Sequence, residues 1–501
     1  MSMAGTSFSL AEHLPALQVV IPLMAAPVAV LIRRNTPAWS LAAVITWICL
    51  AIAITLLNRV LDTGTISYAL GGWAAPWGIE YRIDRIGAFM LVIVSAIGAV
   101  VVPYARASVA REISPDRQYL FYAMYLLCLA GLLGIAITGD AFNLFVFLEI
   151  SSLSSYVLIS LARDRRSLTA AYRYLIMGTI GATFYIIGVG LMYMMTGTLN
   201  MADLAQRIPA IAETRTVLVA LGFLVVGISL KLALFPLHAW LPNAYAFAPS
   251  AVTVFLASTA TKIAIYVLLR VLFTIFGKAD VIHVEDIGAV LMVLAVVAMF
   301  VASTVAIFQD NVKRLLAFSS VAQVGYIILG ISLVSQTGVA AGIIHVFNHA
   351  LMKGALFMAV GCVFLRTGSM SVSAFAGLGR RMPVTMAAFV VGGLSLIGVP
   401  ATVGFVSKWY LIQAALEAGL WPLAVLILLS SLLAVIYVWK VVEVAYFQEP
   451  PSFRHDLREA PLSMTVPMWL LAGGCIYFGL DAETTFGIAH DAAGSLLGVL
   501  P

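Results

Sequence analysis

Fourteen stretches of 18 to 35 mostly apolar residues follow one another along the chain, at 15–32, 39–57, 86–103, 119–138, 142–162, 172–195, 216–246, 250–275, 286–308, 312–334, 338–365, 384–418, 421–446 and 464–482. A helix needs about 20 apolar residues to cross the hydrocarbon layer. Inside lipid its backbone polar groups must be satisfied within the segment itself. The pattern therefore predicts an all-α polytopic membrane protein with about 14 transmembrane helices. The two longest polar intervals, 58–85 and 447–463, are too short to bury a core, so the whole chain reads as one membrane domain. The runs are long and lack the period-two alternation of an outer-membrane barrel.

Charge is scarce. Only 10% of the 501 residues are charged and 62% are hydrophobic, whereas a soluble domain carries about 25% charged residues. That excludes a soluble enzyme or a secreted disulfide scaffold. The net charge of +5 does not indicate nucleic acid, because basic residues anchor the cytoplasmic loops of membrane proteins. The four cysteines, Cys49, Cys128, Cys362 and Cys475, are isolated within apolar segments and form no CxxC motif. Short-motif iron–sulfur ligation is thereby excluded.

The loops after odd-numbered segments hold seventeen Lys and Arg residues, against seven after even-numbered ones, Arg270 and Lys278 among the seven. This bias predicts cytoplasmic odd loops and both termini outside. No basic residue precedes the first apolar run and Arg33 and Arg34 follow it, the reverse of a secretory signal, so it reads as a retained helix.

Twenty-four of the 28 basic residues are thus assigned to loops, and the four left over are Lys231, Lys262, Lys353 and Lys408. All four lie inside apolar segments, and none is Arg. Arg keeps its proton in a protein, whereas a buried Lys can give its proton up. Among the acids, Glu149 is the one well inside a segment. Intramembrane ionisable residues are functional candidates because each is costly.

Two of the lysines adjoin predicted breaks. Pro236 lacks a donor and clashes with the carbonyl of Leu232, which predicts an interruption one turn after Lys231. His238 lies beyond it. Pro400, with Gly398, interrupts the segment that carries Lys408. Paired interruptions in corresponding segments are a pointer to repeat-built transporters. Units of helices 4–8 (119–275) and 9–13 (286–446) place them in register, after helices 1–3 (1–118) and before helix 14 (464–482). An odd number of helices per unit requires the units to be inverted.

His345, His349 and Lys353 recur at intervals of four and stack on one helix face. The two His match a zinc spacing, but HExxH and a third ligand are missing. No metal or cofactor is expected. Ranged over segments 5, 7, 8, 11 and 12, these groups suit lateral proton transfer through mid-membrane.

At these residues the chain resembles the antiporter-like membrane subunits shared by Mrp-type sodium/proton antiporters, respiratory complex I and membrane-bound hydrogenases. The phrases TGDAFNLFVFLE (138–149), LKLALFPLHAWLPNAYAFAPS (230–250) and FNHALMKGALF (347–357) are most similar to the Mrp D type. The resemblance implies two inverted five-helix repeats, a coupling ion pair of Glu149 with Lys231, a relay at Lys262 and an end of the path at Lys408. It places His345, His349 and Lys353 on the linking axis. It also implies a bacterial inner-membrane location and partner subunits of the Mrp A, B, C, E, F and G types. One intramembrane carboxylate is too few for a sodium cage of several oxygens, so protons are the expected cargo of this chain and sodium the exchanged ion of the assembly.

A redox-driven pump subunit of complex I or a hydrogenase would use the same proton path. Only in such an assembly would the chain belong to an enzyme; otherwise it is a transporter subunit. A quinone oxidoreductase in its own right is disfavoured, because there is no GxGxxG after a strand, no Cys cluster and no pair of axial haem ligands.

Overall fold

The computed structural model describes residues 10–277, 284–449 and 457–499. Lys278 and Arg454, two basic residues counted for orientation, lie outside the described residues. The first part runs through α1 (Leu14–Ile32), α2 (Asn35–Thr63), the antiparallel hairpin β1 (Ile66–Ala69) and β2 (Glu80–Ile83), α3 (Arg85–Glu112), α4 (Gln118–Ile137) and α5 (Ala141–Ser160). Next come α6 (Arg166–Thr196), α7 (Met201–Arg207), α8 (Arg215–Leu232), α9 (Leu241–Phe247) and α10 (Ser250–Leu269). The remainder comprises α11 (Val284–Ile307), α12 (Val312–Ser332), α13 (Gln336–Thr367), α14 (Leu378–Arg381), α15 (Pro383–Ile397), α16 (Val403–Glu417), α17 (Trp421–Phe447), α18 (Leu462–Leu480) and α19 (Glu483–Leu496).

Thirteen of these helices, α10 counted with its continuation to Ile275, are long and apolar enough to cross a membrane. The twelfth apolar stretch, 384–418, is delivered in two pieces, α15 and α16. Each has 15 residues, or about 22 Å at 1.5 Å per residue, short of the ~30 Å hydrocarbon core. The chain is a multi-pass, all-α membrane protein. The hairpin, α7, α14 and α19 add to the expected elements. α19 is amphipathic and packs on α13 and α3.

Burial is uneven, and it locates the core. The central windows of α10 and α12 are 94% buried, against 33% for α2 and α17. Lys262 on α10, and the His345–Lys353 face on α13, whose apolar window is 78% buried, therefore ride on helices enclosed by other helices. Small residues let those helices close up. A Cβ on Gly227 of α8 would stand 2.6 Å from the Gly181 carbonyl oxygen of α6, so the two backbones touch.

One expectation fails here. Arg270 is not a loop residue: α10 continues as a π-helical turn, Arg270–Ile275, inside the span. The guanidinium is buried and bonded to both Asp84 oxygens, with Nη1 to Oδ2 at 2.6 Å. Its Nε donates to Tyr266 Oη at 2.9 Å, and that hydroxyl donates to the Ala136 carbonyl at 3.0 Å. Asp84 also caps α3 through Gly87 N, 3.0 Å away. At the opposite end of α10, Glu112 accepts from Ser250 N (2.9 Å) and Ser250 Oγ (3.1 Å). A carboxylate there complements the positive end of the helix dipole. α3 thus holds α10 at both ends. Lys313, also counted as a loop residue, is buried with Nζ donating to the Ala248 carbonyl at 2.9 Å.

Two outcomes follow. Gly227→Val should force α8 off α6 and lower the melting temperature of the detergent-solubilised protein, at a cost of about 1–3 kcal/mol for overpacking. Burial raises the Asp84 carboxyl, but the Arg270 charge outweighs it and holds the group below its usual 3.8. A depressed carboxyl stabilises the fold at neutral pH and loses that contribution as pH falls through the folded value. Asp84→Asn should therefore melt earlier than the parent at pH 7, with the gap closing in scans below pH 3.8.

Candidate functional site

Both proline-marked breaks are present and are built alike. α8 stops at Leu232; Ala233 takes a left-handed φ of 60°, and Leu234 N bonds back to the Ser229 carbonyl at 3.0 Å. α15 stops at Ile397; Gly398 takes φ +93°, and Val399 N bonds back to the Leu394 carbonyl at 3.0 Å. Pro236 and Pro400 lie in the interruptions 233–240 and 398–402. A left-handed Ala costs about 1–2 kcal/mol, so the first stop is held against a local preference. Where α16 resumes, it passes so close to α15 that a Cβ on Gly404 would overlap the Ser395 carbonyl oxygen.

A helix stopped in this way ends in free carbonyls and a partial negative charge. Both lysines stand at such ends, and Lys408 bonds one directly. Lys231 lies in the last turn of α8. Lys408 Nζ reaches across the break to the last carbonyls of α15, Leu396 at 3.1 Å and Ile397 at 2.8 Å, and to Ser431 Oγ at 2.9 Å. It also lies 4.7 Å above the Tyr326 ring, a favourable position for a cation.

Lys231 has a carboxylate as well. Its Nζ is 3.1 Å from Glu149 Oε1 and 2.8 Å from Ser152 Oγ, across the gap between α8 and α5. The Lys231 side chain is 6% exposed and that of Glu149 23%, so the pair has an inner and an outer member. Beside Lys231 lies a cavity of about 20 Å³, with Ser151, Ser152, Ser155, Tyr174 and Lys231 as its polar wall and Leu132, Leu148, Ala260, Ile263 and Ala264 as its apolar wall. That is room for one water among several hydroxyls. Its far wall is α10, one residue from Lys262.

Lys262 is fully buried and has no carboxylate partner among the described residues. It donates to the Ala257 carbonyl and contacts Thr261 Oγ1 at 3.4 Å. α10 packs against α13, the helix that carries His345, His349 and Lys353. The two imidazoles stack, with centroids 6.2 Å apart. His345 is bonded on both nitrogens, Nδ1 to Ser407 Oγ at 2.7 Å and Nε2 to Gln323 Oε1 at 2.9 Å. Both nitrogens of His349 are buried without a protein partner. Unpartnered polar atoms there are costly, and water or a proton-carrying neighbour would satisfy them.

The face expected to carry three groups divides. Lys353 turns from the imidazoles toward α12, where it donates to the Leu316 carbonyl at 3.0 Å and to Ser319 Oγ. His238 stands apart in the α8–α9 connection, its ring against Phe235 and Phe318. Sequence reasoning passes over Ser152, Gln323, Tyr326, Ser407 and Ser431. Gln323, an amide within an otherwise apolar run, could be flagged by the same test that finds the lysines. Among the described residues, no three of His, Cys, Asp and Glu converge to hold a metal ion.

Comparison with known proteins places this arrangement. Residues 138–434 match the family described as NADH:quinone oxidoreductase/Mrp antiporter, transmembrane. The chain is 42% identical to the N subunit of the NADH-quinone oxidoreductase of Desulforudis audaxviator, over 94% of this chain and 96% of that one. It is 31% identical to the D subunit of the Na(+)/H(+) antiporter of Alkalihalophilus pseudofirmus, over 89% and 90%. In structure it superimposes on a chain of the Mrp complex from Dietzia sp. DQ12-45-1b with TM-score 0.90 and 28% identity, covering 98% of both. These relatives are subunits of larger membrane assemblies, and the chain belongs to the NADH:quinone oxidoreductase/Mrp antiporter transmembrane family.

Proposed function

We propose that this chain is the proton-translocating subunit of a multisubunit cation/proton antiporter in a bacterial cell membrane, with both termini on the outer face. The observation that carries the reading is the succession of buried proton carriers linked to interrupted helices: Glu149–Lys231 at the first break, Lys262 beyond the small cavity, His349 and His345 on α13, and Lys408 at the second break. Lys353 extends the line toward α12. Two five-helix units, residues 119–275 and 286–446, each supply one break. The bridges Asp140–Asn200 and Asn311–Ser371 stand at corresponding places in the two units, which supports treating them as repeats.

The pair at Glu149 is the natural control point. A carboxylate 3.1 Å from an ammonium stabilises the charged lysine by a few kcal/mol at an intermediate dielectric. Neutralising Glu149 from its more exposed side withdraws that support. Lys231 then passes a proton inward through a water in the adjoining cavity to Lys262. Each later carrier accepts the proton only when its neighbour can release it, which makes transfer stepwise. Sodium would be the exchanged ion, handled elsewhere in the assembly.

The second reading is a redox-powered proton pump, with this chain as its membrane channel. The 42% identity to a quinone oxidoreductase subunit favours it. The two readings separate in everted vesicles containing the complete assembly: a sodium pulse moves protons under the first, and quinone reduction moves them under the second.

Lys231→Ala should lower cation-driven proton movement by at least 10-fold while assembly persists; normal exchange by an assembled complex would sink the role given to Lys231. Lys262→Arg is a sharper probe, because Arg keeps the charge and cannot release its proton. It should assemble normally yet transport no better than Lys262→Ala, as read by a pH-sensitive dye. Transport near the parental rate would remove Lys262 from the path.

A further inference from the structure

On the face of the odd-numbered loops, away from the proton carriers, three arginines from two distant parts of the chain line one cavity. It measures about 360 Å³ and is bounded by Arg166, Thr169 and Arg173 of α6, Asn243 and Phe247 of α9, and Arg314 of α12. No Asp or Glu lines it. Arg166 is answered nearby: it forms two-pronged bonds with Asp164, at 2.7 Å and 2.9 Å, and stacks 4.7 Å from the Phe247 ring. Arg173 and Arg314 have no carboxylate partner among the described residues. Arg314 Nε is buried with no hydrogen-bond partner at all. An orientation signal explains basic residues on loops, but it does not require a guanidinium nitrogen to be buried and unsatisfied on a residue that lines a hollow.

We propose that this cavity binds the phosphate of a membrane phospholipid, gripped by Arg166, Arg173 and Arg314. The planar fork of Arg matches phosphate oxygens in pairs, and Thr169 and Asn243 add neutral donors. The level fits. α6 begins at Arg166, and Arg173 lies only about 10 Å further along its axis, so the hollow sits beside the headgroups. The surface fits too. Leu168, Tyr172 and Ile176 are 55%, 63% and 44% exposed and form a stripe at helical spacing next to Thr169 and Arg173. Acyl chains would lie along that stripe while the phosphate enters the hollow. Basic pockets between transmembrane helices are suited to anionic headgroups.

The test uses the full chain, purified in neutral detergent and delipidated. It is titrated with phosphatidylglycerol, phosphatidylcholine and inorganic phosphate, with bound lipid counted by native mass spectrometry. The parent should retain one phosphatidylglycerol that Arg173→Gln/Arg314→Gln binds at least 10-fold more weakly. Arg314→Lys, which keeps the charge but not the fork, should fall between them. If the double variant does not fold, Arg173→Gln alone, at an exposed side chain, should show a weakening of at least 3-fold. Equal phosphatidylglycerol affinity in parent and variants overturns the proposal. So does competition-free binding of inorganic phosphate alone, which would make this a site for a soluble anion. Loss of partner assembly with lipid affinity unchanged overturns it as well, since the arginines would then be serving a partner's acidic residue.

Discussion

The cost of a charge in hydrocarbon governs this molecule. Four lysines are held inside apolar segments, and among the described residues only Lys231 has a carboxylate within bonding distance. The others are answered by carbonyls and hydroxyls, and Lys408 most plainly by the last turn of α15. That answer requires a helix to stop inside the membrane. A stopped helix leaves backbone groups that lipid cannot satisfy, so each stop must be walled in by other helices. The close contact at Gly404 and the Gly181–Gly227 contact do that walling. Interrupted helices, glycine contacts and buried lysines are therefore one requirement met at several levels.

Much of this is legible in the residues, for identifiable reasons. Fourteen apolar runs are readable because lipid imposes a minimum length. The lysines stand out because every other basic residue lies outside an apolar run or near its end, where the pattern counts it with a loop. The breaks are readable from Pro236 and Pro400, since a missing donor has the same effect in any fold. Arg270 is misleading because it lies only five residues from the end of its apolar run. The π-helical turn that keeps it inside the span leaves no mark in the pattern, and Asp84 is 186 positions away. Lys313 hides for the same reason at the start of α12. The division of the His345–Lys353 face also depends on distant partners, Gln323 and Ser407 for His345 and Leu316 for Lys353. α19 escapes the apolar pattern because its 14 residues are too few and too polar to register as a span.

The relatives carry two kinds of name, antiporter subunit and quinone oxidoreductase subunit. Under the proposed function this is physically intelligible. A line of carriers that responds to the charge state of one more exposed carboxylate is indifferent to what changes that charge. A cation arriving in a neighbouring subunit and a reduced quinone further off are equivalent inputs at Glu149. On that proposal the apparatus is general, and its driver lies beyond the chain.

α10 has a mechanical consequence. It is held by Glu112 at its first residue and by the Asp84–Arg270 pair beyond its last, about 18 Å and 12 Å from Lys262 along the axis. A rod fixed at both ends cannot slide or turn about its axis without breaking one fixture. Lys262 sits between those two fixtures. Under the proposed path, motion at this station belongs to the lysine's four-carbon arm and to water, and the larger displacements are left to the severed helices on either side.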